Sequence, residues 1–202
     1  MNATAADYRW LDAHCPELME AYCLTLVRGL APVEVLERLG ARPEGTLTGV
    51  EALLGAAREA WDAHGGERHF IGVGAVGNWA LMVEPNGYLG SLHEVAAPLS
   101  RGTEVVAHFR NVNAVDHFGR YVDGELLLHF EPLFPYARDG ADPDGSLALM
   151  REVGFDLRKE DEAGIGRTTE AAFALAERLT GVRLTPSLLD GTEFLRGTAP
   201  AF

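Results

Sequence analysis

Between His69 and Glu131 the chain alternates sheet-like segments with turn residues, and this alternation limits the fold more than any other stretch. The segments are His69–Val76, Asn78–Glu84, Glu104–Arg110, Ala114–Val122 and Glu125–Glu131. Gly77-Asn78, Pro85-Asn86-Gly87, Asn111-Val112-Asn113 and Asp123-Gly124 join or bound them, and these residue types tolerate the positive φ angles of tight turns. Connections this short require antiparallel neighbours. The pattern predicts an α+β fold with a central antiparallel sheet of about five strands, a hairpin followed by a three-stranded meander, with helices flanking it.

Helical periodicity surrounds the sheet. The spacing predicts helices from about Pro16 to Arg28, from Pro32 to Leu39 before Gly40, and from Thr48-Gly-Val-Glu51 to His64. The last of these carries Val50, Leu53, Leu54, Ala57 and Trp61 as an apolar stripe, and the segment 41–45 between the second and third reads as a linker. Ser91-Leu-His-Glu94 starts a short helix that Pro98 should end or kink. Further helices are expected after Asp142, from Thr169 to Thr180, and from Ser187 to Asp190, with a charged loop over 158–166. The organisation predicted is one α+β domain over 1–202, with a helical part at 1–66, a sheet core at 69–131 and a second helical part at 142–191.

Register assigns faces in the meander. A two-residue turn at Asp123-Gly124 pairs Val122 with Glu125 and Tyr121 with Leu126. A three-residue loop at 111–113 opposes Phe109 to Val115, which keeps one face apolar. That face holds Val105, Ala107, Phe109, Val115, Tyr121, Leu126, Leu128 and Phe130, with His117 among them as a buried histidine bonded to a carbonyl or a tyrosine hydroxyl. The opposite face collects Glu104, His108, Arg110, Asp116, Arg120, His129 and Glu131. One reading makes that second face a solvated or partner-binding surface. The other uses its imidazoles and carboxylates for acid–base chemistry or for a divalent metal.

The first hairpin is apolar on both sides, and Gly72 and Gly74 should oppose Val83 and Leu81. Its glycine run is not a nucleotide loop, because no lysine or hydroxyl follows it and no helix begins there. Glu84 and Tyr88 flank the Pro85-Asn86-Gly87 turn. Turn chemistry does not require either of them, so both join the candidate binding residues. No Ser-His-Asp elbow, His-Glu-x-x-His motif or Cys/His metal spacing is present, and the sequence suggests no cofactor.

The net charge of −13, on 30 acidic and 17 basic residues, disfavours nucleic acid and would steer a basic protein partner. No apolar run is long enough to span a bilayer, and the N-terminus has no signal-peptide pattern. Cys15 and Cys23 read as buried thiols in a reducing cytoplasm. Of the basic residues only Lys159 is a lysine and glutamine is absent, a bias that a GC-rich genome imposes.

Several segments together resemble a known family. They are Tyr22-Cys-Leu-Thr-Leu-Val-Arg-Gly29 with Pro32-Val-Glu-Val-Leu-Glu-Arg-Leu-Gly40, Trp79-Ala-Leu-Met-Val-Glu-Pro-Asn-Gly87, Arg110-Asn-Val-Asn-Ala114 with Asp123-Gly124, and Leu175-Ala-Glu-Arg-Leu-Thr-Gly-Val-Arg-Leu-Thr-Pro186. The chain resembles an uncharacterised family of bacterial proteins of about 200 residues from GC-rich genomes, known by a domain-of-unknown-function label. The resemblance implies a single domain and contributes no activity or functional residue, because none is established for the family. The tryptophan strand followed by Glu-Pro-Asn-Gly is loosely similar to small immunity-type proteins. The functional expectation is a non-enzymatic protein-binding or immunity-like module that recognises a basic partner through an acidic sheet surface. The alternative is a hydrolase or metal-dependent enzyme using His108, Asp116, His129 and Glu131.

Overall fold

Nine strands form one antiparallel sheet in the computed structural model, which describes residues 2–159 and 166–200. The strands are β1 (Tyr22–Arg28), β2 (Arg42–Thr48), β3 (Arg68–Val76), β4 (Trp79–Pro85), β5 (Glu104–Arg110), β6 (Asp116–Val122), β7 (Glu125–Phe130), β8 (Arg138–Asp139) and β9 (Glu193–Pro200). Their spatial order is β2-β9-β3-β4-β1-β5-β6-β7-β8. The α+β class and the hairpin and meander are as expected, but the sheet has nine strands rather than about five.

Most of the difference lies outside the 69–131 region. The helix expected over Pro16–Arg28 is two elements, a short helix Pro16–Glu20 and then β1. Every residue of β1 except Arg28 is buried, because neighbours flank it on both sides and helices cover both faces. Such a strand reads as a continuous apolar run without alternation, which periodicity cannot separate from a helix. The expected linker at 41–45 belongs to β2, an exposed edge strand that carries Pro43 and a register shift between Pro43 and Thr46. Those are devices by which an edge strand resists further pairing. Strand β9 enters between β2 and β3.

Helices pack on both faces. The eight α-helices are α1 (Leu11–His14), α2 (Pro16–Glu20), α3 (Pro32–Arg38), α4 (Val50–His64), α5 (His93–Leu99), α6 (Leu147–Val153), α7 (Thr168–Thr180) and α8 (Pro186–Gly191). One core joins α4, α6, α7 and α8 to Tyr22, Leu24, Leu81, Val106, Phe118 and Phe130 of the sheet. The other joins α3 and α5 to Val27, Ile71, Met82, Val105 and Tyr121. Helix boundaries follow local chemistry. Thr185 caps α8 by accepting from the Leu188 N–H at 3.1 Å, and α7 ends at Gly181 in the left-handed region. Thr48-Gly-Val-Glu51 does not form the expected capping box: Thr48 closes β2 and Gly49 is the cap of α4. The expected loop over 158–166 falls largely on 160–165, outside the described residues.

Within the 69–131 region, two expected pairings hold. Gly72 opposes Val83 and Gly74 opposes Leu81, and Asp123 and Gly124 form a turn with φ of 50° and 86° that pairs Val122 with Glu125. Two details change the site. The β5–β6 loop has five residues rather than three, so Phe109 opposes His117 instead of Val115. That slip of two leaves faces unaltered, and Asn111 holds the longer loop by accepting from the N–H groups of Asn113 and Val115. Between β6 and β7 the register shifts by one, with Tyr121 opposite Leu126 but Arg120 opposite Leu128. Leu127 is thus a bulge, and every β7 side chain beyond it changes face.

The glycines of β3 make room for helices on one side of the sheet. A Cβ on Gly74 would lie 2.2 Å from the Thr192 methyl, and one on Gly72 would lie 2.5 Å from a Leu53 methyl. Leu53 can swing, whereas Thr192 is held by its hydroxyl bond to the Leu188 carbonyl at 2.6 Å. Gly74→Ala is therefore expected to lower unfolding free energy by about 1–3 kcal/mol, and Gly72→Ala by less. Urea midpoints for the two variants check the order.

Candidate functional site

The polar face read from the sequence is a helix-covered core face, not a solvated surface. Glu104 is 8% exposed, His108 3% and Asp116 0%. Alternating polar residues suggested water on that side, but α7 lies over it. Phe173 of α7 meets the His108 ring edge-on at 5.3 Å and the Tyr22 ring at 5.8 Å.

Beneath it runs a buried hydrogen-bonded chain. Asp116 lies diagonally across from His108, with Oδ1 2.7 Å from His108 Nε2. The Tyr22 hydroxyl is 3.2 Å from Nδ1 of the same ring. With Asp116 as a carboxylate, Nε2–H donates to it and Nδ1 accepts the tyrosine proton, which assigns the tautomer. Burial, reinforced by the Asp116 charge, pushes the Tyr22 hydroxyl pKa well above its usual value. Arg110 stands 3.7 Å from Asp116 Oδ2 and donates to Thr169 at the start of α7 at 2.8 Å. Hydroxyl, imidazole and carboxylate in line are the parts of a proton relay; sealed in the core, they bind α7 to the sheet.

The remaining members of the expected cluster separate. The bulge carries His129 to the other face, where it opposes Gly119 and stacks on His117 with ring centroids 5.3 Å apart. Burial and the His117 charge lower the His129 pKa. His117 is half-buried, and its Nδ1 has no hydrogen-bond partner, rather than the carbonyl or tyrosine partner expected. Arg120 pairs with Glu104 at 2.8 Å. Glu131 lies just past the end of β7 and is half-buried. Among the described residues no group of three or more His, Cys, Asp and Glu side chains is placed to hold a metal ion.

An open groove of about 800 Å³ lies elsewhere, between α2, α4, the start of β3 and the turn after β4. Leu54, Ala57 and Phe70 line its apolar part, with Trp61, Tyr88 and Val112 alongside. Trp61 is 57% exposed, although helical spacing had placed it on the core stripe of α4. Gly66 explains its position, since a Cβ there would sit 3.1 Å from the indole. One part of the ring thus rests on a bare glycine while the rest faces the groove. The Gly65-Gly66 pair after α4 was the signal available in the sequence. Tyr88, placed at a turn rim by sequence, is 39% exposed and meets the edge of His69 at 4.7 Å. The two guanidiniums of the groove are engaged: Arg58 with Glu17 at 2.8 Å, and Arg68 with the Thr198 hydroxyl and carbonyl. Glu20 and Asp62 make no hydrogen bond or ion pair among the described residues.

Glu84 is not on this surface but organises its wall. It is fully buried, and its carboxyl oxygens accept from the backbone N–H groups of Leu89 and Gly90 at 2.8 and 3.0 Å. The turn 85–88, which supplies Tyr88, is wound around this side chain. A Cβ on Gly87 would come within 2.7 Å of Glu84 Cβ, and one on Gly90 within 2.0 Å of the Thr25 hydroxyl. Burial raises the Glu84 carboxyl to about 7, against the opposing pull of the two N–H donors and Cys23.

The chain belongs to DUF6461, a family of unknown function whose match covers residues 1–202. No curated protein and no solved structure matches it. No helix among the described residues is long and apolar enough to cross a membrane.

Two outcomes test this geometry. Asp116→Ala leaves a buried imidazole N–H without its acceptor and should cost about 1–3 kcal/mol of stability, whereas Tyr22→Phe should cost about 1 kcal/mol or less. Glu131→Gln, on a half-buried residue beyond the strand, should stay within about 0.5 kcal/mol of wild type; urea unfolding measures all three. For Glu84, the raised folded pKa means that the fold favours the protonated acid. Its contribution is fully present below the open-chain value of 4.5 and is lost as pH rises through about 7. The stability of wild type relative to Glu84→Gln should therefore decline across that window, and paired urea midpoints on either side of it check the slope.

Proposed function

We propose that this protein is a non-enzymatic binding module that captures a partner rich in basic residues, and that its recognition surface is the Trp61–Tyr88 groove. The observation that carries this reading is where exposed apolar bulk accumulates. Among the described residues five large hydrophobic side chains are exposed, Val33, Trp61, Tyr88, Val112 and Val115, and three of the five line this one groove. Clustered, seated aromatics at an open concavity are what binding surfaces use as anchors. Each ring is held by a neighbour, which lowers the ordering cost of binding.

Charge points to the partner's chemistry. The whole chain carries −13, and carboxylates outnumber guanidiniums in the groove, with Glu20 and Asp62 making no ion pair among the described residues. A basic partner is steered toward such a surface and an acidic one is repelled. The binding surface is thus a groove rather than the sheet face, whose carboxylates Glu104 and Asp116 are enclosed. The enzymatic alternative needs His108, Asp116, His129 and Glu131 on one accessible face; their separation supports binding instead. In the same reading the protein works in a bacterial cytoplasm in the manner of an immunity-type protein. The codon-driven residue bias and the two free, buried cysteines support that setting.

A photo-crosslinking side chain, p-benzoylphenylalanine, placed at Val112 on the groove rim tests the reading in cells that naturally encode the protein. A discrete adduct should form there, weaken as salt is raised, and be absent when the same group replaces Val33. Adducts of equal yield at both positions, or none at Val112, would overturn the assignment.

A further inference from the structure

Building on the binding reading, we infer that the groove is a receptor for an arginine side chain of the partner, its guanidinium stacked on the open part of Trp61 and bonded to Glu20 and Asp62. The three groups come from two elements, Glu20 from the end of α2 and Trp61 and Asp62 from the last turn of α4, and all line one concavity.

Three ligand classes compete for such a site, and the chemistry separates them. An anion would meet an excess of carboxylates, Glu17, Glu20 and Asp62 against the guanidiniums of Arg58 and Arg68, of which Arg58 already pairs with Glu17. An uncharged apolar segment would be favoured by Leu54, Ala57 and Phe70, but it would strip water from two carboxylates and give them no partner. A cation satisfies both carboxylates and is attracted to the face of the indole, the strongest of the aromatic cation acceptors. Between cations, arginine fits better than lysine. Its planar fork has five donors and can serve two carboxylates from different elements while lying flat on a ring. Lysine offers a compact, strongly hydrated charge that gains less from stacking. The methylenes of either stem would lie along the apolar lining, as long cationic side chains do. The six-membered ring of the indole lies against Gly66, where a Cβ would come within 3.1 Å of it.

The test uses the full chain and acetyl-Arg-Arg-Arg-amide, read by tryptophan fluorescence and by calorimetry. Trp61 is the most exposed of the three tryptophans, since Trp79 is 8% exposed and Trp10 is half-buried, so stacking should change its emission saturably. Trp61→Leu should weaken binding by about fivefold or more, with Trp61→Phe between it and wild type. The double variant Glu20→Gln/Asp62→Asn should weaken it by about tenfold or more, and the trilysine peptide should bind several-fold less tightly than triarginine. These residues are exposed, so unchanged thermal unfolding confirms that each variant is folded. Three results would overturn the inference. In one, a tricitrulline peptide, uncharged but of the same shape, binds as well as triarginine. In another, binding falls with the carboxylates yet ignores Trp61→Leu, which would mean diffuse acidity alone. In the third, triarginine at millimolar concentration does not bind. An adduct at Val112 alongside any of these would leave the partner-binding reading standing and remove only the arginine; its absence would remove the reading itself.

Discussion

Strand β1 has a hydrogen-bonded neighbour on each side and a layer of helices on each face, so every residue from Tyr22 to Val27 is buried. That enclosure sets conditions for everything around it. Backbone groups are satisfied by β4 and β5, and any polar side chain on the strand must find a partner inside. Tyr22 finds His108, which finds Asp116. On the opposite face Cys23 and Thr25 come together with Glu84, which opposes Cys23 on β4. The two buried polar groups are thus consequences of one central strand carrying tyrosine, cysteine and threonine. Each is used to position something else: the first anchors α7, and the second shapes the turn that presents Tyr88.

Much of the hairpin and the last turn of the meander were legible in the sequence because tight turns and period-two patterns are local. Gly77-Asn78, Asp123-Gly124 and the pairing of Gly72 and Gly74 with Val83 and Leu81 need only the residues themselves. Three of the four additional strands were not legible, for three different physical reasons. Burial on both faces erased the alternation of β1, edge exposure made β2 read as a linker, and β9 carries Gly197 and polar residues that its buried neighbours compensate. The bulge at Leu127 was also hidden, since a single extra residue leaves no compositional trace, yet it reversed the facing of His129. The face of His108 and Asp116 was assigned by parity, which the longer β5–β6 loop preserved. Its covering by α7 was a long-range fact that local pattern does not encode.

The groove shows the same division. Tyr88 could be singled out because turn chemistry does not require it. Trp61 could not, since its spacing on α4 is that of a core residue, and only the glycine that follows the helix allows the ring to settle at the surface. Apolar periodicity identifies which helix faces are greasy; it does not say which of them a partner, rather than the protein's own core, will cover.

Strand β9 also bears on how the molecule is made. It is the last of the nine strands to leave the ribosome, yet it lies between β2 and β3, and β2 touches the sheet only through it. Until residues 193–200 emerge, β2 has no strand to pair with and β3 has one open edge. The sheet therefore cannot be completed stepwise during translation, and its last closure joins residues about 150 positions apart in sequence. Long-range pairings of that kind slow folding and prolong the exposure of strand edges, so the edges that β2 and β3 offer to β9 stay open until residues 193–200 have been made.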